Sequence, residues 1–428
     1  MPLLLNATRS AARAFEPKPG TNALLPGAAR WLNDLMGRRT LSGKIVNEDA
    51  ALGLSAYYRG IAIRSNVPGT LPVHAYRKDA AGHRSQIDNE YAWIVKPNRE
   101  VSKPVFWVTV YGHLSSWNNA FIWVVPKDRT KPPSPENVGE LYPVEPKRVR
   151  WGRDEAGDKV YVVDGTQPAR DWTDPRAGQG LRLVHIQGWG TDGMAGRPVW
   201  ELGKQSIGIG VSAQDRAAEW FDKDTSPVNG YLSTEQELTS EEAKEYSEAW
   251  DDERKAADAG TPVLGKGTKW ITTDIDPQKL QLLESRSYSV AEAARLTGVP
   301  ENLLGSHDKT SSWGAGIAEQ NRGLLTYTID PDMVIVETTC SDTLMRPGDY
   351  MKVERGGLLR GSPKEQAEVL EIERRNLVIN ADEWRELTDR EPLPNGQGQA
   401  YINPNTSKNG GGAADQGQTV AEPVPAGA

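Results

Sequence analysis

Gly260-Thr261-Pro262-Val263-Leu264-Gly265-Lys266-Gly267 has the glycine and lysine spacing of a phosphate-binding loop. Such a loop uses backbone amides and its lysine on the phosphates, and a following Ser or Thr on magnesium, with a strand before it and a helix after it. Here Gly267 takes the place of the hydroxyl, an acidic helical stretch precedes, and β-prone Trp270-Ile271-Thr272 follows. A glycine-rich hairpin accounts for the string better than a nucleotide site. Residues 290–304 imitate a helix-turn-helix, with Ala291, Ala294 and Leu296 before a Gly298 turn and Leu303-Leu304 after it. Gly305 stunts the second element, and Glu301-Asn302 offer no cation for phosphates or base edges.

His74, His83, His113, His185 and His307 are far apart, and none has a neighbouring His, Cys or carboxylate at metal-ligand spacing. Cys340 follows β-prone Glu337-Thr338-Thr339 with no local catalytic company, which reads as a core or surface thiol. Glu241-Glu242 and Asp251-Asp252 fall on an exposed helical face, where solvated charge is the ordinary reading. The 14 tryptophans outnumber the 4 phenylalanines but are scattered from Trp31 to Trp384, which suits core and subunit contacts better than a sugar platform. Nothing here assembles into catalysis, and no cofactor or metal is expected.

The elements that carry these residues must come from several substructures, because 428 residues exceed one small core. A hydrophobic content of 37% and a charged content of 25% are those of a folded chain. The formal charge of −8 opposes tight, sequence-blind DNA binding. A single cysteine fits folding in a reducing cytoplasm, and the absence of an 18-residue apolar run gives the expectation of a soluble protein with no membrane partner.

Residues 1–41 mix Pro17, Pro19, Gly20, Pro26 and Gly27 with apolar Trp31, Leu32 and Leu35, as a flexible arm would. Asn47 caps a helix carrying Leu54, Tyr58 and Ile61 that Pro68-Gly69 stops, and Leu71, Val73 and Ala75 alternate as a strand. The span 91–163 reads as mixed α/β, with strands at 121–125 and 160–163 separated by proline-rich connections around 132–146. Another strand covers 181–186.

A long helix is expected over 198–222, with Trp200, Ile207, Val211, Ala218 and Phe221 on one face. Gly203, Gly208 and Gly210 lie inside it, each costing about 1 kcal/mol relative to Ala, which close packing against a neighbouring helix would offset. A turn and strand at 226–232 precede a Thr239/Glu242 capping box that opens an acidic helix. After a strand at 268–275, Asp276-Pro277 starts a helix with Leu280, Leu283 and Val290, in which Ser289 and Glu292 form a fresh cap and a kink. Residues 363–390 form a charged helical region with Val369, Ile372 and Leu377 as its apolar side, and 403–428 form a disordered tail. The fold class is therefore α+β.

Taken in order, several strings resemble the phage portal protein family of the HK97 type. They begin with Ser42-Gly43-Lys44-Ile45-Val46, Ser55-Ala56-Tyr57 and Leu71-Pro72-Val73-His74-Ala75-Tyr76-Arg77. Lys96-Pro97-Asn98, Asn119-Ala120-Phe121, Leu141-Tyr142-Pro143-Val144 and Asp192-Gly193-Met194-Ala195-Gly196 continue them. Ala291-Glu292-Ala293-Ala294-Arg295-Leu296-Thr297-Gly298-Val299-Pro300, Leu303-Leu304-Gly305 and Glu319-Gln320 follow. Asn118 stands where the family usually has glycine, and Arg197 where it often has serine.

The resemblance implies a portal fold: an α/β wing (42–197), a two-helix stem (198–224 and 276–298) and a small α/β clip (225–275). A tunnel loop, a following helix and a return to the wing would occupy 299–362, and a helical C-terminal crown 363–402. His307, Lys309, Thr310, Ser311, Ser312 and Trp313 would lie in the tunnel loop facing the DNA channel, and Gly203, Gly208 and Gly210 would pack the stem. It further implies a structural, non-enzymatic, homo-oligomeric ring, usually dodecameric, in the virion. The implied partners are the major capsid protein, the terminase large subunit, the head-tail adaptor and double-stranded DNA passing non-specifically. Another phage neck or ring component, and a P-loop NTPase using Lys266, remain as alternatives.

Overall fold

Asn47 opens helical structure by accepting the Ala50 amide on its side-chain oxygen at 2.8 Å. The helix expected from here to Pro68 is two: α1 (Glu48–Leu52) ends at Gly53, and α2 (Ser55–Gly69) starts after Leu54. Pro68 lies in the last turn of α2. The structure, a computed structural model, describes residues 38–79, 82–154, 157–165, 167–174, 181–221, 230–234, 239–245, 247–248, 268–272, 282–305, 315–356, 363–388 and 390–403. It divides into two units, Met1–Glu354 and Arg355–Ala428.

The core of the first unit forms where α2 meets α4 (Lys103–Trp117), which follows the short α3 (Ala92–Val95). In α4, Phe106, Val110 and Leu114 recur at helical spacing and are buried together with Trp107 and Tyr111. The two helices touch backbone to backbone at Gly69, where a Cβ would stand 2.5 Å from the Val108 amide nitrogen. Asn118 ends α4 in the left-handed region, φ +52. Glycine and asparagine are the residues that take this cap most cheaply, which accounts for asparagine in a place of glycine.

A six-stranded sheet follows, built from β5 (Asn119–Pro126), β6 (Val138–Val144), β7 (Val149–Arg153), β8 (Lys159–Val163), β9 (Gln167–Asp171) and β10 (Leu181–Gln187). Their spatial order is β6-β5-β10-β9-β8-β7, antiparallel except for the β9/β10 pair. Phe121, Val144, Val149, Tyr161, Val163, Ala169 and Leu183 form its buried cluster. The strands at 121–125, 160–163 and 181–186 are present. The proline-rich span around 132–146 contains strand β6 instead of connection alone; β6 is an edge strand, where Pro143 needs no donor on its free side.

A second sheet of order β13-β3-β4 joins β3 (Val73–Lys78) to β4 (Arg84–Gln86) and, from far along the chain, β13 (Asp349–Val353). Leading into β13 are α8 (Ala315–Leu324), a π-helical turn (Leu325–Ile329) and α9 (Asp330–Leu344). The β-prone surroundings of Cys340 are thus helical. Pro331 suits the first turn of α9, and Met333, Val336, Cys340 and Leu344 fall on one buried face, so tertiary burial overrides local β propensity. Cys340 is a core thiol, and burial pushes its pKa up to about 12.

The helix expected over 198–222 breaks at Gly203 into α5 (Val199–Leu202) and α6 (Lys204–Phe221). A two-stranded antiparallel sheet pairs β11 (Gly230–Thr234) with β12 (Thr268–Thr272). The Thr239/Glu242 capping box is formed, the Thr239 amide donating to Glu242 Oε2 at 2.9 Å and the Glu242 amide to Thr239 Oγ1 at 3.4 Å. α7 (Leu282–Thr297) runs through Ser289 without the expected fresh cap, because Glu292 is taken up by Ser206 and Arg295. The short pairing of β1 (Arg38–Arg39) with β2 (Ile45–Val46) precedes α1.

In the second unit, α10 (Pro363–Arg375) and α11 (Ala381–Leu387) replace one helical region, and Asn380 and Glu383 form a capping box for α11. The apolar side assigned to α10 is corrected: Leu370 is the buried residue, while Val369 and Ile372 are half-exposed. Leu377 lies beyond the helix at φ +60.

Candidate functional site

His307, Lys309, Thr310, Ser311, Ser312 and Trp313 lie outside the described residues, as do 260–267 with Lys266, Asp251-Asp252, the arm before residue 38 and the tail after 403. The flanks of 306–314 are defined. A single 3-10 turn (Glu301–Leu304) ends at Gly305, φ +92, and α8 begins at Ala315. One turn is too short to be a recognition helix.

Helices α6 and α7 approach closely at small residues. A Cβ on Gly203 would sit 2.5 Å from Leu296 Cδ1, and one on Gly210 3.3 Å from Ser289 Oγ and 3.0 Å from Leu54 Cδ1. Ser206 Oγ donates to Glu292 Oε2 at 2.7 Å between them. Partners fall along α7 as positions rise along α6, so the helices are antiparallel. Gly208 faces another element: its Cβ would meet Thr40 Cγ2 at 2.7 Å. The stretch 40–44 thus lies along α6, with Leu41 N donating to Gln205 Oε1 at 3.1 Å and Lys44 pairing Asp215 at 2.7 Å.

The base of the pair is fastened to α2 and α9. Thr297 packs against Gly60, where a Cβ would come within 2.6 Å of it. Arg64 holds Asp332 through Nη2 at 2.6 Å, both side chains only 12% exposed, and reaches the Thr297 carbonyl at 3.5 Å. Burial holds the Asp332 carboxyl above its ordinary range despite the opposing pull of Arg64. Thr328, in the π turn, donates to the carbonyl of Gly298, itself at φ +68. Nothing local in the sequence pointed to Arg64 and Asp332, which are 268 positions apart.

A second network was equally hidden. His185 Nδ1 accepts from Lys159 Nζ at 2.9 Å, so Nε2 carries the proton and donates to Asn119 Oδ1 at 2.9 Å. Asn119 also accepts the Gly196 amide at 2.8 Å and donates to the carbonyls of Trp117 and Gly196 at 2.8 and 2.9 Å. Burial, helped by the Lys159 charge, keeps His185 neutral, and burial brings Lys159 down to about 8. The network therefore secures the 188–197 turn to the sheet. Asn118 adds a bond from Nδ2 to the Arg197 carbonyl at 2.7 Å.

His74 pairs Asp88 at 2.7 Å and His83 pairs Asp79 at 3.1 Å. Burial pushes His113 down to about 4. Among the described residues no three His, Cys, Asp or Glu side chains gather as metal ligands would, and no helix is long and apolar enough to cross a membrane.

A family model described as phage portal protein matches residues 55–389. The chain is 26% identical over 394 residues to the probable portal protein of Streptomyces phage phiC31, covering 86% of this chain and 81% of that one. It is 25% identical over 392 residues to the portal protein of Enterobacteria phage HK97, covering 88% of each. Among solved structures it resembles an HK97-family phage portal protein from Corynebacterium diphtheriae, with TM-score 0.50, 14% identity and coverage of 73% of this chain and 96% of that one. It also resembles a chain in the neck of a native gene transfer agent particle computed with C12 symmetry, with TM-score 0.52, 18% identity, and coverage of 91% and 100%. These structural likenesses concern the fold.

Proposed function

The chain belongs to the phage portal protein family, and from that premise we propose that it is a structural ring subunit at the capsid vertex, forming the channel for DNA packaging and ejection. The observation that carries this reading is the family match over 55–389, which runs through the sheets, the helix pair and α9 alike. The subunit is structural, not an enzyme, and works as a homo-oligomeric ring in the virion.

In the finer reading, residues 42–197 are the wing, with a return through part of 299–362. The antiparallel α6/α7 pair belongs to the stem spans 198–224 and 276–298, where Gly203 and Gly210 permit close packing against α7, while Gly208 makes room for Thr40. The β11/β12 sheet belongs to the clip, 225–275, which docks the terminase large subunit and later the head-tail adaptor. The tunnel loop carries His307, Lys309, Thr310, Ser311, Ser312 and Trp313 toward double-stranded DNA, 363–402 form the crown, and the major capsid protein surrounds the ring. A net charge of −8 suits a conduit that must let any sequence slide. Electron microscopy of the purified chain tests the reading: wide rings with a central hole are expected, and a chain that stays monomeric at every concentration overturns it.

A further inference from the structure

Gln205, Gly208, Ser212 and Asp215 follow at intervals of three, four and three within α6, so they form one row along the helix. Residues 40–44 lie on this row. Thr40 sits at Gly208, where a Cβ would stand 2.7 Å from Thr40 Cγ2 and 2.8 Å from its Oγ1. The Leu41 amide donates to Gln205 Oε1 at 3.1 Å, and Lys44 Nζ pairs Asp215 Oδ2 at 2.7 Å. The rest of the 38–46 hairpin is bonded to itself. Arg38 pairs Val46 and Arg39 pairs Ile45 across β1 and β2, the Thr40 amide donates to the Lys44 carbonyl at 2.8 Å, and the amide of Gly43, at φ +80, to the Thr40 carbonyl at 3.0 Å.

The hairpin's hold on α6 is weak. Among residues 39–46 only Thr40 and Val46 are buried. The Leu41–Gln205 bond is exposed to water, and the Lys44 and Asp215 side chains are 42% and 49% exposed, where water and salt screen their attraction. α6 itself is held independently, because Gly203 and Gly210 meet α7 residues and Ile207 is buried. A segment with few buried side chains and exposed hydrogen bonds opens locally, at lower cost than the unit it lies on. Its far end stays fixed, since Val46 is fully buried and Asn47 caps α1 through the Ala50 amide.

We infer that residues 38–46 are a strap latched on α6, with Thr40 as the knob and Gly208 as the notch, which swings open about Val46 while the α6/α7 pair stays folded, and which salt loosens. Opening uncovers the Gln205–Asp215 row. Hydrogen exchange read by mass spectrometry on the full chain tests it, comparing 38–46 with 204–215 at low and high salt in wild type, Gly208→Ala and Lys44→Ala, with circular dichroism to follow the fold. Wild-type 38–46 is expected to exchange about tenfold faster than 204–215, or more, and faster again at high salt. Gly208→Ala puts a methyl group in the notch but raises the helix propensity of α6, so 38–46 should exchange faster while 204–215 keeps its rate or slows. Lys44→Ala should show the high-salt rate of 38–46 already at low salt. Equal exchange of the two segments in wild type, or their joint acceleration in either variant, overturns the independent strap. A folded Gly208→Ala with 38–46 at the wild-type rate overturns the notch, and wild-type exchange indifferent to salt overturns the control by salt. Should Gly208→Ala fail to fold, Lys44→Ala and the salt series decide alone.

Discussion

Asp349 collects Arg77 Nε at 2.7 Å and the Tyr91 hydroxyl at 2.7 Å, with Arg346 at 3.7 Å, and so joins β13 to β3 and to the start of α3. Burial opposes its charge, but the bonds from Arg77 and Tyr91 and the two guanidinium charges outweigh it and hold the carboxyl below its ordinary range. A depressed folded pKa means the stabilisation is complete above the unfolded value of 3.8 and is lost as pH falls through the folded one. Asp349→Asn is therefore expected to lower the melting temperature near pH 7 and to flatten its fall below about pH 4, as read by thermal melts across pH. Lys309→Glu is expected to slow packaging and reduce head filling, measured as packaged DNA per particle; unchanged values would remove Lys309 from the channel. Wild type and Lys266→Ala are expected to show the same background ATP binding in equilibrium dialysis, and tight binding lost on substitution would restore the nucleotide reading.

Among the elements, what stands opposite each glycine decides its tolerance. Gly69→Ala drives a Cβ into the Val108 backbone, which cannot rotate away, and is expected to destabilise by about 2 kcal/mol. Gly210→Ala meets the tip of Leu54 at 3.0 Å, which can shift, and gains helix propensity of roughly 1 kcal/mol, so its melting temperature should match or exceed wild type. Arg64→Ala leaves Asp332 buried without its guanidinium and is expected to cost about 3 kcal/mol in denaturant unfolding. Arg64→Ala/Asp332→Leu should recover part of that loss, because the isolated buried charge is gone. These elements were legible to different degrees. Asn47 and the Thr239/Glu242 box announced helix starts because capping is local chemistry, and β8 announced itself by its valines and tyrosine and β10 by a short, largely apolar stretch closed by the glycine turn after it. The breaks at Gly53 and Gly203 were not legible, since a glycine in a helical pattern only weakens the helix and tertiary contacts decide whether it ends there.

For the whole molecule, the order of short strings from Ser42 to Gln320 sufficed to indicate the family, because that order belongs to the chain itself and survives without coordinates. The same sequence excluded the metal-binding hydroxyl from the 260–267 string and any base-reading cation from Glu301-Asn302. Only the tertiary structure brought Arg64 to Asp332, His185 to Lys159 and Asn119, and Gly203 and Gly210 to α7. It also turned Cys340 into a helical core thiol and laid Thr40 over Gly208. The division has one physical cause. Caps, turns and strand propensity are set by neighbours within a few residues, whereas burial and pairing between positions as far as 268 residues apart are chosen by the packing of the entire unit, which leaves no local periodicity to read.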